Sequence, residues 1–398
     1  MKKIIDVDEL AVGMYVTRVI KAKGEVKVKS EGMLKCDTGI AKLKQLKVLK
    51  VEIDTRKSEL KEEEPEEIAQ PETNLDGDID QQATPLSQEL KRAQSLYARS
   101  HQIQRNTFDK LRTTGKVDIS QYEDMAKEFF DSIMRNQDAL LCMTKLQDKD
   151  HYLLEHSMNV GILLAIFANH IGLSKEIGLK LTLAGLLHDI GKVLIPDEIL
   201  LKEGGLTKEE FEHIKKHTLY GANILKKTGM EGLTVQIALQ HHERLSGSGY
   251  PQGLTAHQLN QYVRMSAIVD VYDAITAERV YKEEMTPLQA LKILKKNADV
   301  EFDGQLLNQF IAAVGLFPIG TLVLMKSEKL ALVTKSNYED PLRPCVTLFY
   351  HAKFKRHIEA KTLDLTSKRA NDAINKSVNA RDFGIDLNQI IKRFLLDD

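Results

Sequence analysis

Of the twelve histidines in the chain, five stand in polar clusters within one central stretch. They are His156 in HSMNV, His188 in LLHDIGK, His217 in KKHTLYG, and the adjacent His241 and His242 in QHHER. Two aspartates join them: Asp189, directly after His188, and Asp270 in AIVDVYDA. Each group sits within or at the end of an apolar run. Imidazoles and carboxylates placed there are costly to desolvate unless they are paired or bind a metal. Imidazole with carboxylate suits iron, manganese, zinc or nickel better than calcium or magnesium alone. Five His and two Asp exceed what one catalytic ion needs. They fit two ions that share a bridging Asp and a bridging water or hydroxide. Two metals about 3.5–4 Å apart are the usual device for phosphoester hydrolysis.

The elements that must position these groups read as helices. LTLAGLLHDIG and VQIALQHHE carry aliphatic residues and finish in ligand-type side chains. Upstream, 86–150 shows apolar residues at three- and four-residue spacing, as two amphipathic helices would. Thr113-Thr114-Gly115-Lys116 interrupts the pattern, and Ser120 is the expected N-cap of the second helix. Residues 151–315 continue as helical segments. The least charged stretch, Ser157 to Ser174, contains Asn159, Asn169 and His170. Those residues fit a buried core helix better than a membrane span.

Both ends have a different texture. Residues 1–57 carry 14 Lys+Arg against 8 Asp+Glu, a net of +6. There MYVTRVI and KVLKVEID alternate roughly with period two, which predicts a small strand-rich domain. Residues 58–85 hold ten acidic residues, one Lys and three prolines, a composition that reads as a disordered linker. From 316 onward GLFPIGTLVLM, KLALVTKS and RPCVTLFYHAKF read as strands, and LNQIIKRFLLDD as a closing short helix. The expected domains are therefore 1–57, the linker 58–85, a helical region 86–150, a catalytic domain 151–315 and a β-rich extension 316–398.

Composition narrows the class. Over 398 residues, 42 % apolar and 28 % charged is the balance of an ordinary globular protein. With 56 Lys+Arg against 57 Asp+Glu the formal charge is −1, which argues against a globally basic nucleic-acid binder. Cys36, Cys142 and Cys345 are far apart and form no CxxC pattern, which excludes a disulfide framework and suits a reducing compartment. MKKIIDVDEL is too acidic for a signal peptide, so a cytoplasmic location is expected. There is no internal repeat, Gly-rich phosphate loop, GxSxG or HExxH.

The order H–HD–H–HH–D, with AGLLHDIGKVLIP, LTKEEFEHIKKH, HHERLSGSGYPQGL and VDVYDAITAERVY, resembles the HD-GYP family of metal-dependent cyclic di-GMP phosphodiesterases. The resemblance runs from about Asp150 to Val314, and 1–57 is similar to the small domain of unknown function that often precedes this module. It implies a mainly α fold: an HD-type helical bundle around a metal site, with small β-rich regions at both ends. It implies His156, His188, Asp189, His217, His241, His242 and Asp270 as metal ligands, with Asp189 bridging two ions, iron or manganese. The third-metal Glu of some members is replaced by Tyr152 here, so two ions are expected. Lys192 matches a phosphate-contacting lysine, and Arg279 and Lys282 match cations that hold the ligand's phosphates. Asp150 and Asp273 match polar ligand contacts, and Tyr250 of the Gly249-Tyr250-Pro251 loop matches a residue that can stack on guanine. The loop's glycines are expected to allow sharp turns. Ser246 stands where the family usually has Asp, and TAER replaces the commoner TSDR. The implied reaction is hydrolysis of cyclic di-GMP to pGpG, and on to GMP, by a metal-bridging hydroxide. Asp189 and Lys192 are then the catalytic residues. The alternative is a weakly active or inactive cyclic di-GMP receptor that signals to a protein partner through the N-terminal domain.

Overall fold

The structure, a computed structural model, describes residues 2–7, 10, 14–22, 31–34, 42–54, 84–146, 152–202, 204–277 and 285–397. Asp150, Arg279, Lys282, Cys36, the side chain of Tyr152 and nearly all of the expected linker lie outside the described residues. The chain divides into two compact units, Met1–Asp78 and Ile79–Asp398.

In the first unit β1 (Lys2–Asp6), β2 (Tyr15–Ala22), β3 (Gly32–Met33) and β4 (Val48–Asp54) form an antiparallel sheet in the order β1-β4-β2-β3. Its core is Val7, Leu10, Val16, Val48, Val51 and Ile53, of which Val16, Val48, Val51 and Ile53 lie in the two segments read as alternating. Glu52 is buried on β4 and is held by Lys2, Thr17 and Arg18.

The second unit begins with two long helices, α1 (Leu86–Thr114) and α2 (Ser120–Met143). Ser120 is not the N-cap that the sequence predicts. It is the first helical residue: the N-cap is Ile119, which has no side-chain cap bond, and the Ser120 N–H and hydroxyl both donate to Asp118. Then follow α3 (Tyr152–His170), α4 (Lys175–Leu187), a 3-10 turn at Ile190–Leu194 and α5 (Asp197–Leu200). The bundle continues with α6 (Lys208–Lys215), α7 (His217–Lys227), α8 (Leu233–Gln240), α9 (Gln261–Thr276), α10 (Pro287–Lys296) and α11 (Gly304–Val314). The Ser157–Ser174 stretch is the buried α3 together with Ser174, the N-cap of α4. No described helix is long and apolar enough to cross a membrane.

Two helices that carry site residues meet through glycine. A Cβ on Gly185 of α4 would lie 2.6 Å from the Cα of Gly161 on α3, so neither helix could keep this spacing with a larger residue. That close approach brings the first turn of α3, with His156, beside the C-terminal end of α4, with His188; the two rings lie 5.2 Å apart.

The C-terminal part is a second antiparallel sheet of β5 (Leu322–Met325), β6 (Lys329–Lys335), β7 (Cys345–His351), β8 (Arg356–Asp364) and β9 (Ile374–Ser377), in the order β8-β7-β6-β5-β9. The closing helix α12 (Leu387–Ile391) and a π turn at Lys392–Leu396 follow. Ile390 and Ile391 join the main apolar core.

Candidate metal centre

The five histidines arrive from four elements, His241 and His242 together from the end of α8. His156 lies in the first turn of α3, His188 and His241 cap the C-termini of α4 and α8, and His217 opens α7. Asp270 sits on α9, and Asp189 leads into the 3-10 turn. All except His242 are buried, and His242 is partly buried.

Three rings are set by one local device. Nδ1 of His188 donates to the Gly185 carbonyl at 2.7 Å, that of His217 to Ile214 at 2.6 Å, and that of His241 to Ile237 at 3.0 Å. A ring whose proton is held at Nδ1 presents a lone pair at Nε2, the form a metal needs. His156 is oriented differently: its Nδ1 donates to Asp273 Oδ2 at 2.8 Å, and its Nε2 lies 3.0 Å from Asp270 Oδ1.

The Nε2 atoms converge on Asp189. Its Oδ2 lies 3.3 Å from His188 Nε2 and 3.6 Å from His156 Nε2. Its Oδ1 lies 3.3 Å from His217 Nε2 and 3.7 Å from His241 Nε2. One carboxylate thus faces two separate imidazole pairs, one with each oxygen. Asp270 spans the same gap, 3.8 Å from His188 through Oδ1 and 3.6 Å from His242 Nδ1 through Oδ2. Two overlapping groups result, Asp189 with His217, His241 and His242, and Asp189 with His156 and His188.

The electrostatics suit a bound cation. Burial pushes His241 well below the ordinary histidine range, and neighbouring imidazoles push the same way. Burial also holds His242 down, to about 3. Burial opposes a charge on His156 too, but its hydrogen bonds to the Asp270 and Asp273 carboxylates outweigh it and raise that ring to about 10. Burial works against an ionised Asp189, yet the Lys192 ammonium and His188 keep it well below the usual carboxylate range. His188 Nε2 and Asp189 Oδ1 are buried with no hydrogen-bond partner among the described residues. Such orphaned atoms cost about 1–3 kcal/mol each unless something else satisfies them. A divalent cation of the iron, manganese, zinc or nickel type fits this nitrogen-and-oxygen donor set.

The surroundings add further residues. Lys192 contacts Asp189 directly, and its side chain stays 14 % exposed, at the rim. Tyr250 lies flat on His242, with centroids 4.6 Å apart and planes at 29°. Asp273, expected as a ligand contact, is placed behind His156 as the acceptor for its Nδ1. Glu243 was not singled out from sequence. It is buried and accepts from the backbone N–H groups of Gln252 at 2.7 Å and Leu254 at 2.9 Å, which ties down the 248–253 loop. Its signal was its place next to a histidine pair at a helix end, where a solvated Glu would be the ordinary reading. Gly249 corrects the expectation of a sharp turn. The left-handed residues are Gly247 and Gly253, whereas a Cβ on Gly249 would fall 2.4 Å from the Glu243 Cα, so close approach is what requires it. Ser246 pairs with Ser248 at 2.9 Å, and its side chain has no hydrogen bond to the histidine cluster among the described residues.

Comparison with known proteins agrees with this geometry. A family model described as an HD domain matches residues 140–306. A second, a domain of unknown function (DUF3391), matches residues 2–122 and so runs past residue 57 through the whole of α1. A cyclic di-GMP phosphodiesterase of Pseudomonas aeruginosa is 35 % identical over 290 residues, 73 % of this chain and 70 % of that protein. A cyclic di-GMP phosphodiesterase of Thermotoga maritima is 32 % identical over 236 residues, 57 % of this chain and 63 % of that protein. A 3'3'-cGAMP-specific phosphodiesterase of Vibrio cholerae is 35 % identical over 157 residues, 39 % of this chain and 36 % of that protein.

Proposed function

Because the chain belongs to the HD-GYP family of HD-domain phosphodiesterases, we propose that it hydrolyses cyclic di-GMP to the linear dinucleotide pGpG, with GMP as the product of a second cut. The observation that carries this reading is Asp189, whose two oxygens face two different imidazole pairs. Two divalent ions, iron or manganese, held by His156, His188, Asp189, His217, His241, His242 and Asp270, would supply a water of lowered pKa and Lewis acidity at the phosphate.

The chain's own groups do the rest. The Nδ1 bonds hold the ligand rings in register and fix where each lone pair points. Asp273 acts through His156 and is a positioning residue. Lys192, fixed at the rim beside Asp189, offsets charge that builds on the phosphate oxygens. Tyr250 offers its ring to a guanine. Asp150, Arg279 and Lys282 keep the ligand-contact roles that the motif implies.

A second reading changes only the substrate, and it is favoured by the relatives named for 3'3'-cGAMP. One experiment addresses both. The protein is purified without oxygen, its metals are quantified, and cyclic di-GMP and 3'3'-cGAMP are followed by chromatography with iron or manganese supplied. Two equivalents of metal with pGpG appearing supports the first reading, and preferential loss of cGAMP supports the second. Metal-loaded protein that binds both and cleaves neither refutes hydrolysis and leaves a receptor.

A further inference from the structure

Phe211 is unexplained by the fold. It lies on α6, a helix that buries none of its residues and is opened by a capping box between Thr207 and Glu210. Its ring is 44 % exposed and belongs to none of the three apolar clusters of described residues. A large aromatic side chain on a short polar helix contributes little to folding.

Its neighbours give it a use. Phe211 meets Tyr250 with centroids 6.3 Å apart and planes at 80°. Lys215, one turn further along α6, holds its ammonium 4.9 Å from the Phe211 ring centre and 5.6 Å from that of Tyr250. Its ion-pair partner is the exposed Glu212, at 2.6 Å. Tyr250 in turn stacks on His242, so this ledge continues directly from the metal centre. Two rings at right angles cannot both lie flat against one base. They can each take one base of a ligand that carries two, with a cation between them for the phosphate that joins the nucleosides.

We propose that Phe211 and Lys215 form the outer wall of the substrate site, with Phe211 stacking on the second purine of a cyclic dinucleotide and Lys215 exchanging Glu212 for its phosphate. This rests on the phosphodiesterase reading and deepens it: the ledge selects dinucleotides over diesters that carry a single base.

The test compares wild type with Phe211→Ala, Phe211→Tyr and Lys215→Gln in the metal-loaded full chain, with cyclic di-GMP as substrate. Phe211→Ala raises KM roughly 5- to 150-fold, the equivalent of about 1–3 kcal/mol for one stacked base. Its kcat and metal content stay near wild type, Phe211→Tyr restores KM, and Lys215→Gln raises KM. Unchanged KM in Phe211→Ala, or a Phe211→Tyr variant as impaired as the alanine, overturns the inference while hydrolysis by wild type stands. Wild type that loads metal and leaves cyclic di-GMP intact overturns the phosphodiesterase reading, and the inference with it.

Discussion

Replacing Glu243 with Gln tests how the tyrosine loop is held against the metal centre. The buried carboxylate accepts from Gln252 N–H at 2.7 Å through one oxygen and from Leu254 N–H at 2.9 Å through the other. Glutamine keeps the shape but turns one oxygen into an NH2 that faces a backbone donor. One hydrogen bond to a charged acceptor is lost and one amide is left buried without an acceptor, a cost of about 2–3 kcal/mol. The loop can open without unfolding the bundle, so the loss is read locally. Amide exchange at Gln252 and Leu254 is expected to speed up by roughly 30- to 140-fold, since every 1.4 kcal/mol is a factor of ten. Tyr250 then stacks less well on His242, and KM for the dinucleotide rises while bound metal stays constant. Hydrogen exchange, metal analysis and steady-state kinetics on the same preparation read all three. Wild-type protection at both amides would refute the clamp. Metal loss as deep as that of an Asp189 variant would refute it differently, by showing that Glu243 supports the ligands and not the loop.

The other predictions concern the site, the helix contact and the first unit. Asp189→Ala abolishes metal binding and turnover together, which metal analysis beside the hydrolysis assay checks; full activity in this variant would sink the assignment. Asp273→Asn removes the charge that orients His156 and lowers metal affinity or turnover by about 10- to 100-fold, measured by metal titration. Gly185→Ala forces α3 and α4 apart, since its Cβ would lie 2.6 Å from Gly161 Cα, and costs about 1–3 kcal/mol in a denaturant melt. Glu52 is drawn from its ordinary 4.5 to about 2, first by the Thr17 hydroxyl and then by Lys2 and Arg18. Because its folded pKa lies below its unfolded one, its stabilising effect is complete above pH 4.5 and fades as pH falls toward 2. Acid titration of the first unit's β signal should therefore be steeper in wild type than in Glu52→Gln across that window.

The clustering of these histidines and aspartates was legible because it depends on residue type and order: imidazoles and carboxylates at the ends of apolar runs are costly unless they find one another or a cation. What surrounds it was less legible, for reasons that differ from residue to residue. Asp273 stands three positions after Asp270, so a helix puts both on one face, yet only the fold shows that the residue they share is His156. Glu243 earns its role only when the chain folds back nine and eleven residues later, a contact that no local pattern encodes. Ser120 is drawn into the first turn because Asp118, an acceptor two residues upstream, takes its N–H and hydroxyl and the helix starts one residue earlier than the cap reading placed it. β8 escaped detection because most of its residues are exposed, which leaves no apolar alternation to read.

The C-terminal sheet offered no chemistry in the sequence, and its hydrogen bonds explain its presence in mechanical terms. Asn136 interrupts α2 with extended backbone, and just beyond it Asp138 is buried. A buried carboxylate needs donors. Asp138 takes them from the sheet's side of the molecule: the Ser336 N–H at 3.0 Å and the Tyr338 hydroxyl at 2.5 Å. At another point the Ser377 hydroxyl on β9 donates to Thr286 Oγ1 at 2.8 Å, and Thr286 caps α10. The sheet thus satisfies one helix at its interruption and another at its start, and it packs Leu322, Leu330, Leu332 and Phe349 into the same apolar core as the histidine-bearing helices. Strands that complete the hydrogen bonding and the core of a bundle fold with it, which accounts for the sheet and the helices forming one compact unit.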